Sequence, residues 1–217
     1  MRHRLLRSLV LPFLCALALA AAAAAQANPP IAPNLPPPNQ PAPSPYGGNW
    51  EIFAGGGMQF AKATTVNSQP LSTTNVVSGT FGVRYHVNDF NAVEVRYTFA
   101  QPTQTYGSNL FVKARANEFT AAYVWTYPSS GFIRPFVLGG LGFTDFTPVA
   151  SQSVPGAVSQ RKWGLEYGGG LDFAVAKQWT VRLEYRGLFY RIPDFGFIGI
   201  KQLNHMAEPD IALVYHF

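Results

Sequence analysis

The stretch Ala92–Gln101, "AVEVRYTFAQ", decides the fold. Val93, Val95, Tyr97 and Phe99 fall on one phase of a two-residue period, and Glu94, Arg96 and Thr98 on the other. Successive side chains of a strand point to opposite faces, so this is a strand with one apolar and one charged face. "WTVRLEYRGLFY" (179–190) repeats it, with Trp179, Val181, Leu183, Tyr185 and Phe189 set against Arg182, Glu184 and Arg186. Working outward from these two segments, the alternation predicts strands near 50–60, 75–87, 92–101, 113–126, 132–147, 162–175, 179–191 and 206–217. The segment 132–147 is the least determined, because "VLGGLGF" fits either phase. No window shows a helical period.

The connections alternate in length. "NDFN" (88–91), "YPSSG" (127–131) and "AKQ" (176–178) are tight turns. "AKATTVNSQPLSTT" (61–74), "PTQTYGSNLFV" (102–112), "PVASQSVPGAVSQ" (148–160) and "IPDFGFIGIKQLN" (192–204) are long and mostly polar. An even number of strands joined short-long-short-long places every tight turn and both ends of the domain on one side, the layout of an outer-membrane barrel.

The front of the chain is of another kind. Arg2, Arg4 and Arg7 precede an apolar run from Leu9 to Ala25, and Ala25-Gln26-Ala27 has the small-x-small form of a cleavage site. This predicts a secretory signal peptide over 1–27 rather than a retained membrane helix. Cys15 follows Leu14, a poor context for lipidation, and is the chain's one cysteine, so the exported part carries no disulfide. Removing 27 of 217 residues leaves 190, and losing three arginines lowers the formal charge from +5 to +2. No basic patch for nucleic acid survives that correction. Residues 28–45 hold nine prolines and no charge, so 28–47 is expected to be an extended periplasmic tether, with the barrel domain over 48–217.

Alternation alone leaves the inward face open, since a soluble ligand-binding barrel has an apolar interior. Three features favour the membrane. The five lysines (Lys62, Lys113, Lys162, Lys177, Lys201) sit in loops or at strand ends, while the mid-strand charges are Arg, Glu and Asp. Aromatics on the apolar phase gather beside the tight turns (Trp50, Tyr85, Trp125, Phe173, Trp179, Tyr215, Phe217) and again near the loops (Phe60, Phe99, Phe143, Trp163, Phe189), as interfacial girdles do. The charged phase carries Arg84, Arg96, Arg134, Arg182 and Arg186 with Glu94, Glu118, Glu166, Asp172, Glu184 and Asp210, a set of both signs suited to cross-linking a narrow lumen. The expected ion-pair network is Glu94, Arg96, Glu118, Glu166, Arg182, Glu184 and Arg186. "AGGGMQF", "EYGGGLDF" and "LGGLGF" leave room for long interior side chains and permit tight coiling. A phosphate-binding loop needs a following helix, which the pattern does not supply.

"WGLEYGGGLDFAVAKQWTVRLEYRGLFY" (163–190) resembles the penultimate hairpin of the eight-stranded OmpA-like and opacity-type outer-membrane barrels, where a Gly-rich strand, a turn, a Trp and an R-x-E-Y-R strand recur. The likeness covers Trp50 to Phe217 and implies an all-β, eight-stranded, antiparallel up-and-down transmembrane barrel in the cell outer membrane, both termini periplasmic. It implies outer-membrane lipid and lipopolysaccharide, the barrel-assembly machinery and periplasmic chaperones as partners, and a monomer. In that family a C-terminal strand with alternate apolar residues ending in Phe resembles the signal read by the assembly machinery. Ile211, Leu213, Tyr215 and Phe217 match it, and the alternation runs to Phe217. No peptidoglycan-binding domain is expected after it, which puts wall anchoring in doubt.

Lipid A deacylase barrels of this kind use a Ser and a His close together on one strand. Here neither "HVN" nor "HMA" places a Ser two residues on, and His205 with Glu208 and Asp194 could meet near the outer rim without an evident nucleophile. His86, His205 and His216 are too scattered to argue a metal site. No catalytic residue, cofactor or metal is therefore expected. The function expected is structural or surface-interactive, through the outer loops. The alternatives are a narrow solute or ion channel, and behind it a lipid-modifying enzyme.

Overall fold

In a computed structural model the described residues are 48–66, 69–107, 110–127, 129, 131–196 and 202–217. The expected signal peptide (1–27) and tether (28–47) lie outside them. Every regular element among the described residues is a strand: β1 (Trp50–Ala61), β2 (Thr64–Val66), β3 (Gln69–Thr73), β4 (Val76–His86), β5 (Asn91–Ala100), β6 (Thr103–Tyr106), β7 (Leu110–Thr126), β8 (Ile133–Ser153), β9 (Gln160–Ala176), β10 (Trp179–Arg191) and β11 (Leu203–His216).

The eight long strands form the wall. Each pairs antiparallel with the next along the chain, in the order β1, β4, β5, β7, β8, β9, β10, β11. β11 then pairs with β1, from Glu51 opposite His216 to Ala61 opposite Met206, and closes the barrel. Closure matters because an unpaired edge cannot be satisfied in lipid. The three short strands lie at the long-loop end. β3 pairs with β6, and β6 with β7, so they extend the wall beyond Pro102, where the missing N–H interrupts the ladder and the carbonyl accepts from Ala114 N at 3.0 Å. The loops at 61–74, 102–112 and 148–160 are thus partly strand, a departure from the sequence reading, in which polar Thr/Ser/Gln runs read as loop.

Burial settles the faces. Val93, Val95 and Phe99 are 48–58% exposed, and Glu94, Arg96 and Thr98 are each 2% exposed. Lipid therefore meets the apolar phase and the charged phase is interior, the reverse of a soluble ligand-binding barrel. On β8, Phe136 and Leu138 point inward and Val137 and Leu141 outward, which fixes the phase of "VLGGLGF".

Aromatic side chains circle the outer surface. At the tight-turn end Trp50 packs on Tyr85 (ring centroids 4.7 Å apart) and Trp179 on Tyr215 (4.9 Å). Nearer the loops, Phe81, Tyr97, Phe119, Phe143 and Trp163 stand opposite one another on five successive strands, with centroid spacings of 5.0, 4.7, 5.4 and 5.3 Å. Two glycines show why the wall needs them. A Cβ on Gly170 would lie 2.2 Å from the Leu183 carbonyl oxygen and 2.8 Å from the inward Phe136 ring. Gly187 lies under the outward Tyr167 ring, where an added Cβ would come within 2.4 Å of the ring's Cζ, an aromatic covering a glycine in a curved sheet.

Candidate functional site

The barrel interior is built in layers along β10, whose inward residues run Thr180, Arg182, Glu184, Arg186, Leu188 and Tyr190. At the tight-turn end, Glu51 of β1 sits between two histidines, 3.2 Å from His86 Nε2 and 3.4 Å from His216 Nδ1. Its other oxygen accepts from Arg182 Nη2 at 2.7 Å and lies 3.2 Å from Arg84 Nε. Arg182 holds Asp172 through two bonds, 2.7 and 2.9 Å, in the fork geometry that suits guanidinium to carboxylate. Arg84 donates to Glu94 at 2.6 Å, and its guanidinium lies 4.7 Å from the Phe136 ring. Arg134 stands opposite Asp172 in the β8–β9 register.

The middle layer spans the lumen. β5 and β10 lie on opposite walls of the ring, four strands apart in either direction. Arg96 of β5 reaches Glu184 of β10 at 2.7 Å and Asp210 of β11 at 3.3 Å, and donates to Glu94 on its own strand at 2.6 Å. Its guanidinium also lies 4.9 Å from the inward Phe53 ring. Above it, Arg186 donates to Glu166 at 2.6 Å, Glu118 at 3.0 Å and Thr98 Oγ1 at 3.1 Å, and to Glu208, which also accepts from Gln59.

The seven residues expected to form an ion-pair network therefore all face the lumen, and contacts of 4 Å or less between their charged groups join them into one connected set. Two carboxylates were missed. Glu51 and Glu208 are at most 1% exposed, which raises the lumen carboxylates to eight, against four central arginines. Glu51 was legible in principle, being in phase with Phe53 and Gly55 on the inward side. Glu208 was instead grouped with His205 and Asp194 at the rim, and the structure corrects this. Residues 205 and 208 differ by an odd number, so they occupy opposite faces: His205 bonds Tyr167 Oη at 2.9 Å on the outside, and Glu208 is within. Asp194, in the fourth long loop, bonds Gln160 instead; burial opposes its ionisation, but bonds from Gln160 and the Gly196 N–H hold its carboxyl below the usual range.

Toward the loops the interior becomes apolar. Val112, Phe146, Leu188, Tyr190, Ile192 and Phe195 are each at most 3% exposed and pack in one cluster with Leu71 and Met206. Tyr106 Oη donates to the Pro193 carbonyl, and Val158 N to the Phe195 carbonyl at 3.1 Å, drawing the fourth loop over the cluster. The cavity beside it, lined by Gln59, Thr144, Phe146 and Tyr190 among others, measures about 10 Å³, room for roughly one water. The sequence reading missed this plug, although Leu188, Tyr190 and Ile192 continue the phase of Arg182, Glu184 and Arg186. Ile211, Leu213 and Phe217 are about half exposed on the outer surface, with Tyr215 partly covered between the rings of Trp179 and Phe217.

A closed eight-stranded wall, apolar outside, girdled by aromatics and filled with ion pairs, defines a transmembrane barrel of the outer membrane. The chain belongs to the outer membrane protein β-barrel domain family, whose model matches residues 12–201. It is similar in fold to OprG from Pseudomonas aeruginosa (12% identity, TM-score 0.55, 79% of this chain and 99% of that one) and to Neisserial surface protein A (12%, 0.54, 77% and 97%). It is also similar to AlkL, solved in lipid bilayers (16%, 0.52, 86% and 97%). No curated protein matches it in sequence.

Proposed function

We propose that this barrel is a structural and surface-interaction protein whose loops face the cell exterior and whose lumen does not conduct. One observation carries the reading: Arg84, Arg96, Arg182 and Arg186 cross-link the walls at successive levels, and the apolar cluster caps them on the loop side. Eight strands leave an interior that side chains can fill, and here they do. The interior residues are engaged with one another, which leaves the loops as the place for recognition. Catalysis has no constellation to support it: His86 and His216 face Glu51, and His205 faces Tyr167. In this reading residues 1–27 direct export, 28–47 tether the barrel in the periplasm, and Ile211, Leu213, Tyr215 and Phe217 are read by the assembly machinery, with chaperones delivering the monomer to it.

The orientation is open to direct test, because no cysteine follows Cys15. Ser159→Cys, in the third long loop, is expected to react with a membrane-impermeant maleimide on intact cells. Asp89→Cys, in a tight turn, should react only after the envelope is opened. Labelling in the opposite pattern would reverse the orientation and remove the loops as a surface for recognition.

A further inference from the structure

The lumen charges are not evenly balanced along the barrel. Among the described residues of the half nearer the tight turns, Arg84, Arg134 and Arg182 face Glu51, Glu94 and Asp172, three cations to three carboxylates. In the half nearer the loops, Arg96 and Arg186 face Glu118, Glu166, Glu184, Glu208 and Asp210, two to five, and Arg96 also serves Glu94. The next cation on the inward phase, Lys162 of β9, is four residues higher than Glu166 and acts on Asp194 of the fourth long loop. The other inward side chains around this level bring no charge: Gln59 of β1, Ser78 and Thr80 of β4, Thr98 of β5, Thr120 of β7, Thr144 of β8, Tyr190 of β10 and Asn204 of β11.

The shortage falls on Glu118. Its Oε1 and the Oε1 of Glu166 accept from the same nitrogen, Arg186 Nη1, at 3.0 and 2.6 Å. The second oxygen of each is buried and has no hydrogen-bond partner among the described residues. Glu208 is better held, with one oxygen accepting from Arg186 and the other from Gln59. Glu118 is therefore left with one bond, longer than that of Glu166, and no second cation. A buried carboxylate so placed beside like charges is relieved by taking up a proton. A metal ion fits less well. Among the described residues no three carboxylates or histidines are arranged to hold one, and the cavity one inward step up β7, at Ala116, has room for roughly one water.

We infer that Glu118 is a proton-binding site, neutral in the folded barrel at pH 7, so that Glu118 and Glu166 hold one proton and one negative charge between them over Arg186. The site lies directly beneath the apolar cap, whose β7 and β10 members Ala116 and Leu188 are the next inward residues after Glu118 and Arg186. Loss of the proton sets two carboxylates against each other there, which makes the closure of the lumen responsive to pH. The inference holds whichever end of the barrel faces outward.

The test is urea unfolding of the purified barrel in dodecylmaltoside micelles between about pH 5 and pH 8, wild type against Glu118→Gln. Over that range an unfolded glutamate, which titrates near pH 4.3, is ionised, roughly as in any model peptide. The folded site keeps its proton, so unfolding releases it and stability falls as pH rises. Glutamine has the shape of the neutral acid and cannot titrate, and the other titrating groups are common to both proteins. The unfolding constant of the wild type is therefore expected to rise about tenfold per pH unit relative to that of the variant, until the folded site gives up its proton. Infrared spectra at pH 7 give a second readout: a protonated-carboxyl band in the folded wild type that is absent from the variant. The wild-type spectrum decides the matter even if the variant does not fold. A ratio of unfolding constants independent of pH, a wild type without that band, or a band unchanged in the variant would overturn the inference. So would loss of the pH dependence on adding millimolar calcium, which would make the occupant a metal ion.

Discussion

Arg186→Met is expected to lower the stability of the barrel by about 3–5 kcal/mol, read as a lower unfolding midpoint in urea. The guanidinium serves Glu118, Glu166 and Glu208 at once, all at most 4% exposed. Methionine fills much of the volume but leaves three carboxylates facing one another without a cation. Removing one partner of a buried pair costs far more than the net worth of the pair, because the other charge stays desolvated. Glu184→Ala should act in the same direction through Arg96, which would still hold Glu94 and Asp210, and so by less. Leu183→Ala, one residue away on the lipid face, should cost less again. Leu183→Arg should cost about 2–4 kcal/mol at mid-depth. If Arg186→Met left the midpoint unchanged while Leu183→Arg was tolerated, the charged face would not be the interior.

Phe217→Asp is expected to reduce the folded barrel recovered from the outer membrane several-fold, while Val158→Asp, exposed in the third long loop, leaves it unchanged. Phe217 closes the β1–β11 seam, its N–H donating to the Trp50 carbonyl at 3.0 Å. The aspartate keeps that backbone bond and removes the ring stacked on Tyr215. Refolding the same variant from urea into detergent separates two roles. Normal refolding in micelles with poor assembly in cells identifies Phe217 as part of a signal read by other proteins. Equal loss in both settings reduces it to a girdle aromatic.

The wall was legible because lipid outside and ion pairs inside impose opposite chemistry on alternate residues. "AVEVRYTF" states that contrast in one strand, and the ends of β1, β4, β5 and β10 fall within a residue of the expected ones. The lumen residues on β5 and β10 were legible for the same reason. What stayed hidden depends on closure. Glu208 is brought to Arg186 and Gln59 by the β10–β11 and β1–β11 seams, and three-residue spacing to His205 suggested a proximity that a strand denies. The loop-side plug stayed hidden because its members come from β3, β6, β7, β8, β10, β11 and the fourth long loop, with Leu71, Tyr106 and Phe195 far apart in the chain. No local period links them. Inside the barrel the change from Arg186 to Leu188 marks where charge gives way to an apolar cap, a step visible along β10 only once its inward phase is known.

The central claim is that the ion pairs and the apolar cap close the barrel to solutes, and ion conductance across a planar bilayer tests it most directly. Purified wild-type barrel, shown to be inserted by its heat-sensitive mobility, is expected to give no discrete conductance steps in 1 M salt. Stable, ohmic steps that scale with the amount of inserted protein would contradict the account and make the lumen a pore.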